Sequence, residues 1–454
     1  MLNLLRGAGP AAAAPQVQLT DALARRIVAS GAATAQEAAA GMSRLAIPIA
    51  VSGTSAARLR RVRRMILRTV DGVRVDPAGR AGAAVATGLV AGGNVAAALS
   101  FGDVTAGAVG TVTAVCGDEA LLFGHPFNWS GATALSAHEA SAVFVQADPV
   151  FGGFKVANIG EPVGTVDQDR LAGLHTELGP LPATTPVRSS FTATDSGASR
   201  ASTTHAVLPE FISTAAAIHV LVNLDRVHDR IGAGVVTLQW GARGTRADGR
   251  PWHFRRREKM ADVFDVTSAA AGKVFVDLET LFSNPFEPIT IDRVTVSGAV
   301  DTAYAESRLV RLERRIRGQW RTVDRRTPLQ LVAGRRVFLR AVVRKVRSPQ
   351  LTRVPLSFVV PRWGGSAGSL TISAGAPLPD EFEEPTGPVV RSFDQLLAQI
   401  DRAPAGDTLR TELRLARRVP GGGRQRLTRE TRATAPTAVF GELGFEVEIL
   451  PNRG

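Results

Sequence analysis

The chain has 454 residues, of which 44% are hydrophobic and 21% are charged. A chain of this length and composition can bury a sizeable core, and we expect a globular protein with two to four packed units. No apolar run reaches the 18 residues that a membrane-spanning helix requires, and residues 1–16 hold too short an apolar stretch for a signal peptide. The sequence as given therefore predicts a soluble chain without a transmembrane segment.

The formal charge of +13 is unevenly distributed along the chain. Residues 308–353 contain fifteen Arg or Lys and two acids, whereas residues 103–180 contain nine Asp or Glu and two basic residues. Surfaces that bind nucleic acid interleave basic with aromatic side chains, but only Trp320 and Phe338 fall in the basic segment. The pattern does not favour nucleic acid. Two interpretations of the basic segment remain: an arginine-rich surface that is only solvated, or a surface that binds an anionic polymer or acidic lipid.

The first 44 residues predict a helical lead-in. Thr20 is suited to cap a helix that Gly31 ends, and Thr34 with Glu37 has the spacing of a capping box for a second helix.

Residues 45–90 predict a small α/β segment. A short apolar strand over 45–51 precedes an amphipathic helix that is rich in arginine. This helix has one apolar face and no aromatic residue, so we expect it to pack on a sheet rather than on a membrane surface.

Residues 91–285 predict a mainly β domain with helical insertions. Short β-branched runs are separated by turns with Gly and Asp, and the clearest hairpin has Asp248-Gly249 at its tip. The two helical insertions are predicted over 209–227 and 266–282, where apolar residues recur at helical spacing.

The remaining sequence predicts a second β domain and a short C-terminal part. Strands over 286–362 alternate apolar and polar residues, which is typical of an immunoglobulin-like β-sandwich with arginines facing solvent. Residues 363–454 begin with a linker rich in Gly, Ser and Pro, and continue with a helix capped by Ser392 and a final strand pair. The predicted fold class is therefore mainly β (α+β).

Three further patterns give no candidate for a cofactor or metal site. Cys116 is the only cysteine, so an intramolecular disulfide is excluded, and its place at the end of an alternating run predicts a small packed side chain. The glycine-rich segments 364–369 and 421–423 lack the lysine and helix of a phosphate-binding loop and are interpreted as loops. The seven histidines include no His-x-x-x-His or His-x-Glu pair with a plausible third ligand for zinc, so no metal and no cofactor is predicted.

The most distinctive segment, GDVTAGAVGTVTAVCGDEALLFGHPF, ends in Gly-His-Pro-Phe. Pro126 keeps His125 out of helical geometry, and Gly124 lets another part of the chain approach closely. The imidazole could thus be presented rigidly, as a general base requires, although a histidine that is hydrogen-bonded within a turn would have the same sequence. Three other histidines outside the predicted helices lack a flanking glycine and proline of this kind: His138, His175 and His205.

This segment and FGGFKVANIGEPVGTVDQDRLAGLHTELGPLPATTPV together resemble the histidine-bearing part of the stage IV sporulation protein B family of serine peptidases, in the long architecture found outside sporulation. The resemblance covers most of residues 45–415, and its most specific motifs are Gly-His-Pro-Phe and Asp-Arg-x-x-Gly. It implies a chymotrypsin-like β-barrel, an extracytoplasmic location, a peptide or protein substrate, and a Ser, His and Asp set in which His125 is the general base.

The sequence departs from this family at the nucleophile. The family's serine lies in a Gly-Met-Ser-Gly-Ser-Pro segment, whereas Gly41-Met42-Ser43 continues with Arg-Leu-Ala. The acid is expected near the same segment, so neither Ser nor Asp can be assigned. We expect a peptidase homologue that is inactive as this chain, because of a late start, degeneration towards binding, or a site completed by another polypeptide. The alternative is a non-catalytic cell-envelope protein that binds peptides or an anionic surface such as a cell-envelope polymer.

Overall fold

The computed structural model describes residues 16–43, 46–70, 72–78, 88–147, 153–363, 366–375, 390–418 and 423–452. Strands account for 52% of the structure and helices for 18%, which confirms the predicted mainly β fold class. None of the helices in these ranges is long and apolar enough to cross a membrane. Most of the predicted linker and parts of both glycine-rich segments lie outside the described residues.

The chain forms two compact units. The first comprises Met1–Ser52, Ala56–Ala98 and Ala106–Pro182, and the second comprises Gly53–Ser55, Leu99–Thr105 and Ala183–Gly454.

The elements from the N-terminus to the end of the first unit are, in chain order, β1 (Gln16–Val17), α1 (Asp21–Ala29), α2 (Ala35–Ala40), β2 (Met42–Ser43), β3 (Ile47–Val51), α3 (Ala56–Ile66), β4 (Val73–Pro77), β5 (Asn94–Gly102), β6 (Ala106–Cys116), β7 (Glu119–Leu122), β8 (Gly131–Gln146), β9 (Phe154–Arg170) and β10 (Gly173–Leu178).

Six strands of the first unit close a ring in the order β5, β8, β9, β10, β7 and β6, because β5 also pairs with β6. A closed ring leaves none of these six strands as a free edge over its paired length. Apolar side chains from successive strands are buried within the unit, among them Val95, Val112, Leu122, Leu135, Ile159, Val166 and Leu174. The structure thus contains the barrel-like arrangement that was expected for this region.

The N-terminal helices have the predicted caps. The Thr20 side chain accepts a hydrogen bond from the Leu23 backbone N–H at the start of α1. At the start of α2, Thr34 and Glu37 form the reciprocal bonds of a capping box.

The elements of the second unit that follow are β11 (Thr185–Ala193), β12 (Ser199–Ala206), a 3-10 turn (Pro209–Phe211), α4 (Ile212–His228), β13 (Gly234–Thr245), β14 (Pro251–Asp262), α5 (Val266–Phe282), β15 (Arg293–Asp301), β16 (Glu306–Ile316), β17 (Gln319–Thr322), β18 (Leu329–Val332), β19 (Arg336–Lys345), β20 (Leu351–Val359), β21 (Ala367–Ala374), α6 (Phe393–Asp401), β22 (Thr408–Arg418), β23 (Arg424–Thr434) and β24 (Ala438–Leu450).

Within the second unit, β14, β13, β15, β11 and β12 are neighbours in one sheet, and α4 and α5 cover one face of it. The residues between the sheet and these helices are buried, including Phe191, Trp240 and Leu278. Along β13 and β14 the buried and exposed side chains alternate, so the other face of the sheet is open to solvent.

The C-terminal sheet has the order β20, β19, β16, β24, β21, β22 and β23, and it curls around a core of apolar side chains. Its strands come from both sides of the predicted linker. The strand β15 was grouped with the predicted sandwich, but it pairs with β11 and β13 instead. Local alternation of apolar and polar residues predicts a strand but does not determine its partner, because pairing joins residues far apart in sequence.

Candidate functional site

His125 lies in the loop that leaves β7, and its side chain is exposed. Phe123 and Gly124 both have positive φ, at 71° and 72°. Two successive left-handed residues turn the chain sharply away from the strand, and a phenylalanine in this region is uncommon. We call residues 123–130 the His125 loop.

The backbone fixes the orientation of the His125 imidazole. Its Nδ1 lies 2.9 Å from the carbonyl oxygen of Pro126, and a carbonyl can only accept a hydrogen bond, so Nδ1 carries the hydrogen. The ring also contacts the ring of Phe123, with 5.6 Å between their centroids. In the neutral imidazole Nε2 is then the hydrogen-bond acceptor, which is the form that a general base needs.

Asp169 holds the rest of the loop in place. Its carboxylate is fully buried and accepts hydrogen bonds from the backbone N–H groups of Phe127, Asn128 and Ser130, at 2.8, 2.7 and 3.1 Å. The Ser130 hydroxyl donates a fourth bond, at 3.1 Å. A charged acceptor with several N–H donors is a strong anchor, so the loop is ordered from within the barrel.

Two large apolar side chains are exposed beside this anchor. Trp129 is 66% exposed and Leu171 is 68% exposed. The His125 loop enters β8 at Gly131, which pairs with Asp169, and Leu171 lies in the turn directly after β9, so both connections are at the same end of these strands. Gly173 approaches Gly124 so closely that a Cβ there would lie 3.4 Å from the Gly124 nitrogen. The imidazole, the indole and the leucine side chain therefore share one end of the barrel.

The structure does not assemble a peptidase triad around His125. In the part of the chain that the structure describes, no serine and no carboxylate is hydrogen-bonded to its imidazole. Met42–Ser43 forms the strand β2, which pairs with β1, and the residues Arg44 and Leu45 lie outside the described ranges. Cys116 is exposed at the β6–β7 turn, so the prediction of a packed side chain is wrong.

A serine and a histidine do meet in the second unit. His219 on α4 is fully buried, and its Nε2 lies 2.8 Å from the Ser189 hydroxyl oxygen on β11. His219 Nδ1 lies 2.8 Å from the Thr204 hydroxyl oxygen. The Asn223 amide nitrogen donates to the His219 carbonyl oxygen at 2.9 Å, and Arg200 Nε donates to Asn223 Oδ1 at 2.6 Å. Every polar atom of the imidazole therefore has a partner inside the protein.

The burial of this pair argues against Ser189 as a nucleophile. His219 has no exposure to solvent and Ser189 is only 6% exposed, so the pair does not face a surface that a substrate could approach. The Ser189 hydroxyl also lies 3.0 Å from the Ser202 hydroxyl within the same network. Burial lowers the pKa of His219 to about 4, which keeps the ring neutral near pH 7. We interpret this cluster as a buried structural network.

A third histidine, His175, forms an ion pair on the barrel surface. Its Nδ1 lies 2.6 Å from the Asp167 carboxylate, and this hydrogen bond raises the pKa of the imidazole. Glu119 is more distant, at 3.9 Å. Within the described ranges, no three His, Cys, Asp or Glu side chains form a group that could hold a metal ion.

Sequence reasoning identified His125 but missed the residues that make its surroundings distinctive. Asp169 was visible only as the first residue of the Asp-Arg-x-x-Gly motif, without a role. Trp129 and Leu171 carried no signal, because exposure of a single apolar residue cannot be read from local sequence.

Comparisons with known proteins add no assignment: no protein-family model matches the chain, and no curated protein does.

Proposed function

We propose that this chain is a non-catalytic peptide-binding protein of the lineage that the stage IV sporulation protein B peptidases define, and that the His125 loop is its binding surface. One observation carries this proposal: a fully buried carboxylate anchors a loop that presents an exposed histidine and an exposed tryptophan. The family resemblance is what suggests a peptide as ligand, and it supports an extracytoplasmic location.

The chemistry of the loop fits a peptide in an extended conformation. Trp129 and Leu171 offer apolar area for one or two side chains of the ligand, and tryptophan is enriched among residues that dominate binding energy. His125 Nε2 can accept a hydrogen bond from a backbone N–H of the ligand. Because the anchored loop is already ordered, little conformational entropy is lost on binding.

Peptide binding can be tested by fluorescence anisotropy with labelled decapeptides that vary at apolar positions. We expect Trp129→Ala to weaken binding at least tenfold, which corresponds to about 1.4 kcal/mol. Phe264→Ala is the matched control, because Phe264 is 81% exposed and belongs to the second unit. If the two variants bind the decapeptides equally well, the His125 loop is not the binding surface.

The absence of covalent catalysis is tested separately with a fluorophosphonate probe and intact-mass analysis, using a denatured sample as control. We expect no adduct that is specific to the folded chain. A single native-only adduct would contradict the non-catalytic assignment, and mapping it would identify the nucleophile. In that case the second candidate, a serine peptidase with His125 as base, would be favoured by the orientation of the imidazole.

A further inference from the structure

The open face of the sheet in the second unit carries a groove at β13, β14 and β15. Arg243 on β13 lies between His253 on β14 and Arg293 on β15 in the strand register. In the next row Gly241 lies between Arg255 and Thr295. The groove has a volume of about 290 Å³, near the lower end of the range for small-molecule sites.

A glycine forms the floor of this groove. A Cβ at Gly241 would lie 2.3 Å from the carbonyl oxygen of Phe254, so no other residue fits without a shift of the backbone. The row between Arg255 and Thr295 therefore lacks a central side chain, and the flanking side chains surround an open depression.

The lining of the groove is cationic. Three arginines and one histidine face it, and no acidic side chain lines it. Arg243, Arg255 and Arg293 form no salt bridge within the described ranges. Two acids close to these arginines in the fold or in sequence are hydrogen-bonded elsewhere: Asp401 accepts from the Arg255 backbone N–H, and Asp292 accepts from the Thr290 hydroxyl.

One guanidinium nitrogen in the groove is both buried and unsatisfied. Arg293 Nε is inaccessible to solvent and has no hydrogen-bond partner among the described residues. This nitrogen cannot itself contact a ligand in the groove, but the charge of its guanidinium group adds to those of Arg243 and Arg255. Cationic side chains gathered without an anion repel one another, and this repulsion is relieved if an anion binds.

We propose that this groove binds a phosphate monoester group. A monoester carries a charge of about −1.5 to −2 near pH 7 and three strong acceptor oxygens, which suits three guanidinium groups better than the single charge of a carboxylate. Arginine forks bind phosphate oxygens in bidentate fashion, and Thr295 supplies a neutral hydroxyl donor. This site goes beyond the proposed peptide binding and depends on different residues.

The test uses isothermal titration of the full chain with methyl phosphate as the probe. We expect one site per chain, a dissociation constant that rises with salt, and at least a tenfold weakening in Arg243→Gln and in Arg255→Gln. Arg336→Gln is the matched control, since Arg336 is an exposed arginine on the C-terminal sheet, and its affinity should stay within about twofold of the parent value. Thermal unfolding of each variant checks that it is folded.

The outcomes separate the proposal from its alternatives. Dimethyl phosphate and acetate, each with a single charge, should bind at least tenfold more weakly than methyl phosphate. Equal affinity for dimethyl phosphate would overturn the monoester assignment, as a phosphodiester of a polymer or lipid would then serve as well. Absence of binding at millimolar methyl phosphate, or equal weakening in Arg336→Gln, would overturn the site itself.

Discussion

The Asp169 carboxylate is the residue on which the His125 loop depends. It contributes four accepted hydrogen bonds from a position with no exposure to solvent. Three of the donors are backbone N–H groups, and that of Phe127 is buried, so water does not replace the carboxylate there. The geometry of the loop is thus determined by a residue about forty positions further along the chain.

Replacing Asp169 with Asn tests this dependence. The amide nitrogen of Asn donates rather than accepts, so at least one N–H of the loop loses its acceptor, and we expect the free energy of unfolding to fall by about 3 kcal/mol. Chemical denaturation measures the change.

Asp118→Asn serves as control, because Asp118 is exposed at the β6–β7 turn of the same unit, and a change below about 0.5 kcal/mol is expected there. If both variants have the same stability as the parent chain, Asp169 does not anchor the loop.

At the residue scale, the sequence predicts single candidate residues, but it does not predict which distant residues contact them. The Gly-His-Pro clamp around His125 could be recognised because glycine and proline restrict the backbone locally. The anchor by Asp169 could not, since its contacts cross from β9 to the loop and depend on the closed barrel. The pairing of Ser189 with His219 joins β11 to α4 and was hidden for the same reason.

The helix α4 is buried almost all round, and it carries a titratable group into the core. Fifteen of its seventeen residues are buried, among them His219 and Asn223. Such a helix cannot be amphipathic in the usual way, so its polar side chains must find partners inside the protein. His219 does so through Thr204, Ser189 and Asn223.

This burial predicts a dependence of stability on pH. The folded pKa of His219 is about 4, whereas an exposed histidine has a pKa near 6.5. Between these values the unfolded chain binds a proton that the folded chain does not, so stability falls as the pH is lowered from 6.5 towards 4, by at most about 3 kcal/mol from this group. Well above pH 6.5, where His219 is neutral in both the folded and the unfolded chain, it contributes no slope.

Denaturant titrations across this range, for the parent chain and for His219→Gln, measure the effect. The dependence of unfolding free energy on pH should be shallower in the variant by up to about 1.4 kcal/mol per pH unit. A residual slope is expected in both proteins, because burial also lowers the pKa of three other histidines: His138, His205 and His228. Identical slopes would mean that His219 titrates normally in the folded state.

Elements defined by local signals were the ones that the sequence predicted well. The helix predicted over 266–282 has these bounds in the structure, and Ser392 caps α6 as expected. The membership of strands in sheets was harder to predict: β15 joins β11 in parallel, more than one hundred residues apart. Parallel neighbours of this kind leave no turn in the sequence by which they could be recognised.

At the scale of the whole molecule, the second unit combines two sheets, and charged residues join them. Arg257 on β14 forms two hydrogen bonds with Asp407, at 2.9 and 2.7 Å, and Glu258 accepts from the Gly406 backbone N–H. Asp407 is 1% exposed, while the Arg257 side chain is 42% exposed. The two partners therefore depend on the ion pair to different degrees.

We predict that replacing Arg257 and replacing Asp407 reduce the free energy of unfolding by different amounts. Arg257→Gln leaves the Asp407 carboxylate buried without its cation and should cost about 3 kcal/mol, whereas Asp407→Asn leaves an arginine that water can solvate and should cost about 1 kcal/mol. Equilibrium unfolding in urea measures both values. Equal losses would show that the Asp407 charge is not held by Arg257.

The exposed cysteine at the β6–β7 turn has a practical consequence. Cys116 is the only cysteine in the chain and its side chain is accessible, so a maleimide reagent attaches one label at one position without any mutation. The turn belongs to the same hairpin whose second strand leads into the His125 loop. A fluorophore or spin label on this thiol would report on the turn end of the hairpin, at the opposite end of β7 from the His125 loop, in the otherwise unaltered protein. Storage without a reductant would lead to covalent dimers through the same sulfur atom.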